Sequence, residues 1–312
     1  MFAQLESQLA QQQSAVLLVS RSNEVIFRYG DETTRYPCHS MRKSFLSALI
    51  GCAEAEGRFD LSLTLDALGI DDREGLSDEE RGATLYDLLT ARSGIYHPAN
   101  YETPWMRRIK PPRHRYAPGE NWCYSNWDFN ALGTAWRQLT GEAINQAFAS
   151  RIAHPIGMQD YRPQEDSWLE PGDSSVHPAY PFMLSSRDLL RFGQLFLQEG
   201  RWQGQSVIPA HWVRLSTAPL SHAGTRGAYG FMWWVTRDGV GWPQAILPPG
   251  SFSAQGAGGH YCLVAPSHQL VVVHRVDTRQ AGHEVNRYQS GKLLHTLFSA
   301  LQRQERQYDD LN

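Results

Sequence analysis

The chain has 312 residues, with 29 Lys plus Arg against 32 Asp plus Glu and a formal net charge of -3. That balance excludes a nucleic-acid backbone binder, which needs a basic face to displace counterions from phosphates, and it offers nothing to an acidic membrane surface. Hydrophobic residues at 41% and charged residues at 20% exclude a disordered, collagenous or coiled-coil chain and leave room for a large core. Only Lys43, Lys110 and Lys292 are lysines, the other 26 basic residues being arginines. Genome composition accounts for that bias, but not for the three lysines that remain.

In chain order, Met1 to Gln13 reads as a short amphipathic helix with Phe2, Leu5 and Leu9 on one side. Residues Ala15 to Val19 and Val25 to Tyr29 are β-rich runs that read as a hairpin around Arg21-Ser22-Asn23. Ser40 to Glu56 carries Phe45, Leu46, Leu49, Ile50 and Ala53 on one helical face, with Gly57 as the C-cap. Leu85 to Ala91, Trp127 to Leu139 and Ser186 to Gln198 are further helical candidates. Phe231 to Val235, Tyr261 to Val264 and Leu270 to Val276 read as strands, Pro266-Ser267-His268 turning between the last two. Val285, Tyr288, Leu293, Leu294, Leu297, Phe298 and Leu301 then recur at three- and four-residue intervals, an amphipathic helix lying across the sheet.

Strands at both ends framing a helical middle predict an α/β (α+β) sandwich: an antiparallel sheet of N- and C-terminal strands flanked by helices, with an α-rich insertion beside it. No linker or repeat divides the chain. The expectation is a single domain, 1–312, with a sheet lobe near 1–35 and 225–312 and an α-rich lobe near 36–224. No apolar run approaches the roughly 18 residues of a membrane span, and no basic n-region with an apolar stretch marks a signal peptide. Cys38, Cys52, Cys123 and Cys262 show neither metal nor disulfide spacing, so a cytoplasmic protein with reduced thiols is expected, without membrane, nucleic-acid or metal partners.

The chemistry concentrates at Ser40-Met41-Arg42-Lys43. Residues three apart on a helix share a face, so the Ser40 hydroxyl and Lys43 amine can meet, and the helix start adds unpaired N–H groups that favour an oxyanion. A serine hydroxyl is a weak nucleophile without a base. Lysine can be that base once burial or a cationic neighbour removes its proton, whereas arginine stays charged. By chance alone an S-x-x-K falls in roughly one such sequence in four, and Tyr-Ser-Asn, here Tyr124-Ser125-Asn126, in roughly three of a hundred; both together fall in under about 1%.

S-x-x-K followed by Y-[SA]-N or S-D-N is the signature of the serine β-lactamase and penicillin-binding protein superfamily, which this sequence resembles. The wording is nearest its class C-like branch of esterases, transpeptidase-like hydrolases and 6-aminohexanoate-oligomer hydrolases. The likeness runs through His39 to Phe45, Asp87 to Gly94, Ala117-Pro118-Gly119, Tyr124-Ser125-Asn126, Ser185 to Leu189 with Arg191-Phe192-Gly193, and Tyr229 to Trp234, so roughly over residues 14–300. It implies Ser40 as the acylated nucleophile, Lys43 as proton acceptor, Tyr124 as the phenol serving the leaving group, and Asn126 positioning substrate or Lys43. The family's third element, K-T-G or H-T-G, corresponds to Gln255-Gly256-Ala257-Gly258-Gly259-His260, where the usual cation is absent. The glycines suit an edge strand approached by substrate, and an N–H near Gly258 would complete an oxyanion hole with that of Ser40.

Beyond these, His97, His114 and His260 read more simply as structural histidines than as cleft groups. Arg107, Arg108, Lys110, Arg113 and Arg115 form a basic loop that is most simply solvated; alternatively Arg113 and Arg115 anchor a substrate carboxylate in place of the missing third-motif cation. Trp105, Trp122 and Trp127 read as core aromatics, any of which could wall an acyl pocket. Cys123 reads as buried and inert, and Lys110 and Lys292 as ordinary surface lysines. The expected activity is a serine hydrolase that needs no cofactor and acts through an acyl-enzyme on small esters or amides. An amide-directed member (an aminohexanoate-oligomer hydrolase, D-aminopeptidase or weak β-lactamase) and a non-catalytic acyl-binding sensor are the alternatives.

Overall fold

Ser22 and Asn23 both take positive φ, 49° and 68°, the two-residue turn whose twist matches an antiparallel hairpin. It joins β1 (Val16–Arg21) to β2 (Glu24–Tyr29), with Arg21 opposite Glu24. The computed structural model describes residues 2–309; Met1 of the expected N-terminal helix lies outside them. Six further strands come from the far end: β3 (Ser221–His222), β4 (Ala228–Tyr229), β5 (Trp234–Val235), β6 (Phe252–Gly256), β7 (His260–Ala265) and β8 (Leu270–Arg275). They form one antiparallel eight-stranded sheet in the order β2-β1-β8-β7-β6-β5-β4-β3. Val16 stands opposite Arg275, so the two ends of the chain close the sheet against each other.

Side chains alternate across the pleat, and the two faces of this sheet collect different helices. Leu17, Val19, Tyr261, Leu263 and Val272 belong to one cluster with Leu5 and Leu9 of α1 (Ala3–Gln11) and Leu293, Leu294 and Leu297 of the C-terminal helix. Val16, Leu18, Cys262, Val264, Val271 and Val273 face the larger cluster, which holds α2 (Arg42–Ala55), α3 (Asn126–Thr140) and α4 (Ser186–Leu197). The C-terminal helix, α5, spans Arg287–Asp309. This is the sandwich expected from the sequence.

Helix α2 is buried from Arg42 to Ala53, so it runs through the interior and does not rest on one apolar face. Gly51 permits that: a Cβ there would stand 2.2 Å from the Trp212 ring. Polar Arg42, Lys43, Ser44 and Ser47 are buried along with the apolar stripe.

Four local expectations are corrected. Ser40 sits in a single 3₁₀ turn, His39–Met41, and the α-helix begins only at Arg42. Phe231 to Val235 is not one strand. Gly230 N–H donates to the Trp233 carbonyl, Phe231 N–H to that of Ser216, and Met232 has a φ of 60°, so its β-rich residues form the turn between β4 and β5. Val285 precedes α5, its N–H donating to the Gly258 carbonyl, and Tyr288 is exposed. Strand β6 is not an edge strand along its length, because Phe252 and Ser253 pair with β5; Ala254 to Gly256 lie beyond that pairing. Among the described residues no helix is long and apolar enough to cross a membrane.

Candidate active site

The sequence explains how three distant groups converge. The 3₁₀ turn delivers Ser40 at the mouth of α2, and Lys43 follows on the first turn of that helix. Ser125 caps α3, its Oγ accepting from the Trp127 N–H at 3.2 Å. The Tyr-Ser-Asn triplet is thus a helix entry that leaves Tyr124 just outside α3 and makes Asn126 its first residue. Lys43 Nζ lies 2.8 Å from Ser40 Oγ and 2.7 Å from the Tyr124 hydroxyl.

Burial sets the electrostatics of this triplet. Lys43 is 1% exposed, and desolvation, followed by the nearby charge of Arg42, holds its amine well below the usual lysine value. Its other close neighbours are rings, with Nζ 4.5 Å from the Tyr124 centroid and 5.0 Å from that of Phe129. Burial pushes the Tyr124 phenol up to about 12. Both shifts favour the uncharged forms, and Nζ stands within hydrogen-bond reach of Ser40 Oγ.

Ser40 and Tyr124 line a cleft of about 760 Å³, with Lys43 behind them. One wall is Gln255 to Tyr261, the end of β6 and start of β7 with their turn. Gly256 is required by close approach, since a Cβ would stand 2.5 Å from the Cys38 carbonyl oxygen beside Ser40. Gly258, at φ 84°, turns the chain where Ala257 and Gly259 also line the cleft. The opposite wall is aromatic and cationic. Trp234 stacks on Tyr124 at 5.2 Å, Trp105 lies 5.7 Å from it, and the Arg226 guanidinium stands 4.3 Å from the Trp105 centroid and 5.3 Å from that of Trp234. Arg287 also lines the cleft, donating to the Gly241 carbonyl. Burial depresses the Arg226 cation and takes Arg287 down to about 10, with Arg226 the secondary cause.

Several expected site residues stand elsewhere. Asn126 is buried and does not line the cleft; its Nδ2 donates to the Tyr101 carbonyl at 2.6 Å, and its Oδ1 has no hydrogen-bond partner, so it makes no hydrogen bond to Lys43. His97 is buried with Nε2 3.5 Å from Glu80, and Arg113 is held by the same carboxylate at 2.9 Å. Arg115 is exposed beside Tyr116. Thus neither Arg113 nor Arg115 lines the cleft, because Glu80 claims the first and the second faces solvent; the stretch is not all loop, since Arg107 and Arg108 lie on a short helix, Pro104–Ile109, and of its cations only Arg108 lines the cleft. Lys110 is not a surface lysine: it donates to Glu102 and to the His97 carbonyl and is largely buried. Of the three tryptophans Trp105 lines the cleft, while Trp127 donates to Asp72 in the interior. His260 does line the cleft, but its Nδ1 accepts from Arg275 Nε, a structural contact. Cys123 is buried, its thiol pushed up to about 12.

Arg226, Trp234 and Arg287 were missed by sequence reasoning. Arg226 and Arg287 are sixty-odd positions apart with no local motif, and only the sheet order brings their segments together.

The profile of the Beta-lactamase family matches residues 2–289, and the chain belongs to that family. A curated but uncharacterised protein of Alkalihalophilus pseudofirmus is 26% identical over 184 residues, covering 52% of this chain and 53% of that protein. The chain therefore spans about half the length of the curated relative it matches. Among solved structures, a Bacillus anthracis protein assigned as a 6-aminohexanoate-dimer hydrolase superposes with a TM-score of 0.70 at 19% identity, over 96% of this chain and 82% of that one. A penicillin-binding protein from Bacillus halodurans gives 0.69 at 14% identity, over 94% and 99%. EstCE1, described as a hydrolase with promiscuous acyltransferase activity, gives 0.66 at 17%, over 94% and 97%. At such identities these likenesses establish the fold.

Proposed function

We propose that the chain is a serine hydrolase acting through an acyl-enzyme on small carboxylic esters or amides. The observation that carries this reading is the placement of a buried lysine Nζ 2.8 Å from Ser40 Oγ and 2.7 Å from the Tyr124 hydroxyl. Ser40 Oγ attacks the carbonyl carbon as its proton passes to Lys43 Nζ. The tetrahedral oxyanion is held by backbone N–H groups at Ser40 and near Gly258. On collapse the proton travels through the Tyr124 hydroxyl to the leaving oxygen or nitrogen. Water then attacks the acyl carbon as its proton passes, directly or relayed through the Tyr124 hydroxyl, to the Lys43 amine; collapse breaks the bond between the acyl carbon and Ser40 Oγ, that proton returns to Oγ, and the acid is released. Nucleophile, proton acceptor, proton donor and oxyanion donors are all supplied by the chain, so the chemistry requires no cofactor.

Arg226 and Arg287, together with Arg108, line the cleft that holds Tyr124 and Gln255, against one lining carboxylate, Glu284, while Arg113 and Arg115 are not among its residues; this excess of positive charge favours substrates with a carboxylate. The aromatic wall of Trp105 and Trp234 suits an apolar segment. Turnover of p-nitrophenyl esters and matched anilides, measured side by side, tests the reading. Multiple turnover that disappears in Ser40→Ala is expected, and single-turnover acylation without release would instead make the protein an acyl-binding sensor.

A further inference from the structure

Arg42 is the most unusual side chain near the proposed site. It is 1% exposed, and its Nε and Nη1 have no hydrogen-bond partner. Nη2 lies 3.4 Å from Asn130 Oδ1, and the guanidinium otherwise faces rings, 4.4 Å from the Tyr180 centroid and 5.7 Å from that of Tyr101. Among the described residues no carboxylate forms an ion pair with it. A guanidinium cannot shed its charge, and an unpaired buried charge is costly where an apolar side chain of similar volume would be neutral or stabilising. Arg42 nevertheless occupies the position directly before Lys43, in a chain whose third-motif position holds the uncharged Gln255.

We infer that Arg42 is a positioning residue for the proton acceptor: an uncompensated buried cation that keeps Lys43 in its neutral form. The inference rests on the hydrolase reading above. The groups facing Lys43 permit it. Ser40 Oγ and the Tyr124 hydroxyl lie 2.8 and 2.7 Å from Nζ and the Phe129 ring 5.0 Å from it, while His39 shares the 3₁₀ turn with Ser40 and Tyr229 packs against Tyr124. Burial takes the His39 imidazole down to about 4 and the Tyr124 phenol up to about 12, so neither brings an opposing charge at neutral pH. Asp128 on α3 is occupied by Ser93, whose Oγ donates to it at 2.7 Å, and burial pushes its carboxyl up to about 8. Arg137 lies two turns further along α3 than Asn130, and His211, from helix Ala210–Ser216, faces Glu54 at the far end of α2, while Arg214 pairs with Glu199. Helix Ile144–Phe148, also packed on α2, carries no titratable side chain.

The scarcity of lysine makes the test direct. Lysine labelled with carbon-13 at Cε gives three signals, and Lys43→Arg identifies the one from Lys43. In the wild type that signal is expected to titrate far below the ordinary lysine value. In Arg42→Gln and Arg42→Met its midpoint rises by about one pH unit or more, and the acid limb of kcat/KM moves up with it. Arg42→Met keeps the unbranched chain and is expected to remain folded, as thermal unfolding would verify. An unmoved Lys43 midpoint in either folded variant overturns the inference, and so does an ordinary lysine midpoint in the wild type. The titration needs no turnover, so a chain that hydrolyses nothing would defeat the hydrolase reading while leaving the Arg42 to Lys43 coupling measured.

Discussion

The ring of Tyr124 stacks on that of Trp234, with centroids 5.2 Å apart and planes 27° from parallel. Tyr229 meets the same ring edge-on at 90°, so a phenol from the entry to α3 is held by side chains of β4 and β5. That clamp leaves the hydroxyl one position, 2.7 Å from Lys43 Nζ. Tyr124→Phe keeps the packing and deletes only the proton carrier. Steady-state kinetics are expected to show kcat reduced by about 10²- to 10⁴-fold, with KM nearly unchanged and the thermal midpoint preserved.

Proton acceptance by Lys43 requires the neutral amine, so activity must fall as pH drops through the lysine's folded value, which burial and Arg42 hold well below the ordinary one. The Tyr124 phenol, pushed up to about 12, ionises only at far higher pH. The profile of kcat/KM should therefore rise once with pH and then stay flat to about pH 10. Lys43→Arg, charged throughout, should abolish the rise together with the activity.

The two cleft arginines predict a substrate preference. Charge-assisted hydrogen bonds are worth about 1.5–3 kcal/mol each. Arg226→Gln or Arg287→Gln should therefore reduce kcat/KM about 10- to 100-fold for carboxylate-bearing esters and much less for neutral analogues. Reversing the charge at Arg113 and Arg115 should leave that preference intact, because Arg113 is engaged by Glu80 and Arg115 faces solvent.

The interior course of α2 depends on Gly51 lying against Trp212. Gly51→Val must displace the indole or bend the helix, and overpacking of this kind costs about 1–3 kcal/mol. Denaturant unfolding should show that loss, while Gly57→Ala, at a left-handed but open position, loses less.

The sequence made the sheet legible because strand patterns sat at both chain ends; it made Ser40 and Lys43 legible because a three-residue spacing is a local feature, and Tyr124 because Tyr-Ser-Asn resembles a family motif. The Trp234 and Arg226 wall was not legible. Its residues lie on strands and turns of two residues or little more, whose placement comes from sheet order and not from any local period. Phe231 to Val235 misled for a related reason: its β-rich residues spend their backbone hydrogen bonds on a turn and on Ser216. The engagement of Arg113 was not legible either, because charge composition cannot reveal that the buried Glu80 already claims it.

The central claim is that Ser40 is the nucleophile. Intact-protein mass spectrometry after exposure to a fluorophosphonate should show a single adduct in the wild type, mapped to Ser40 by peptide sequencing, and none in Ser40→Ala. An adduct that persists in Ser40→Ala, or maps to another residue, would contradict the account.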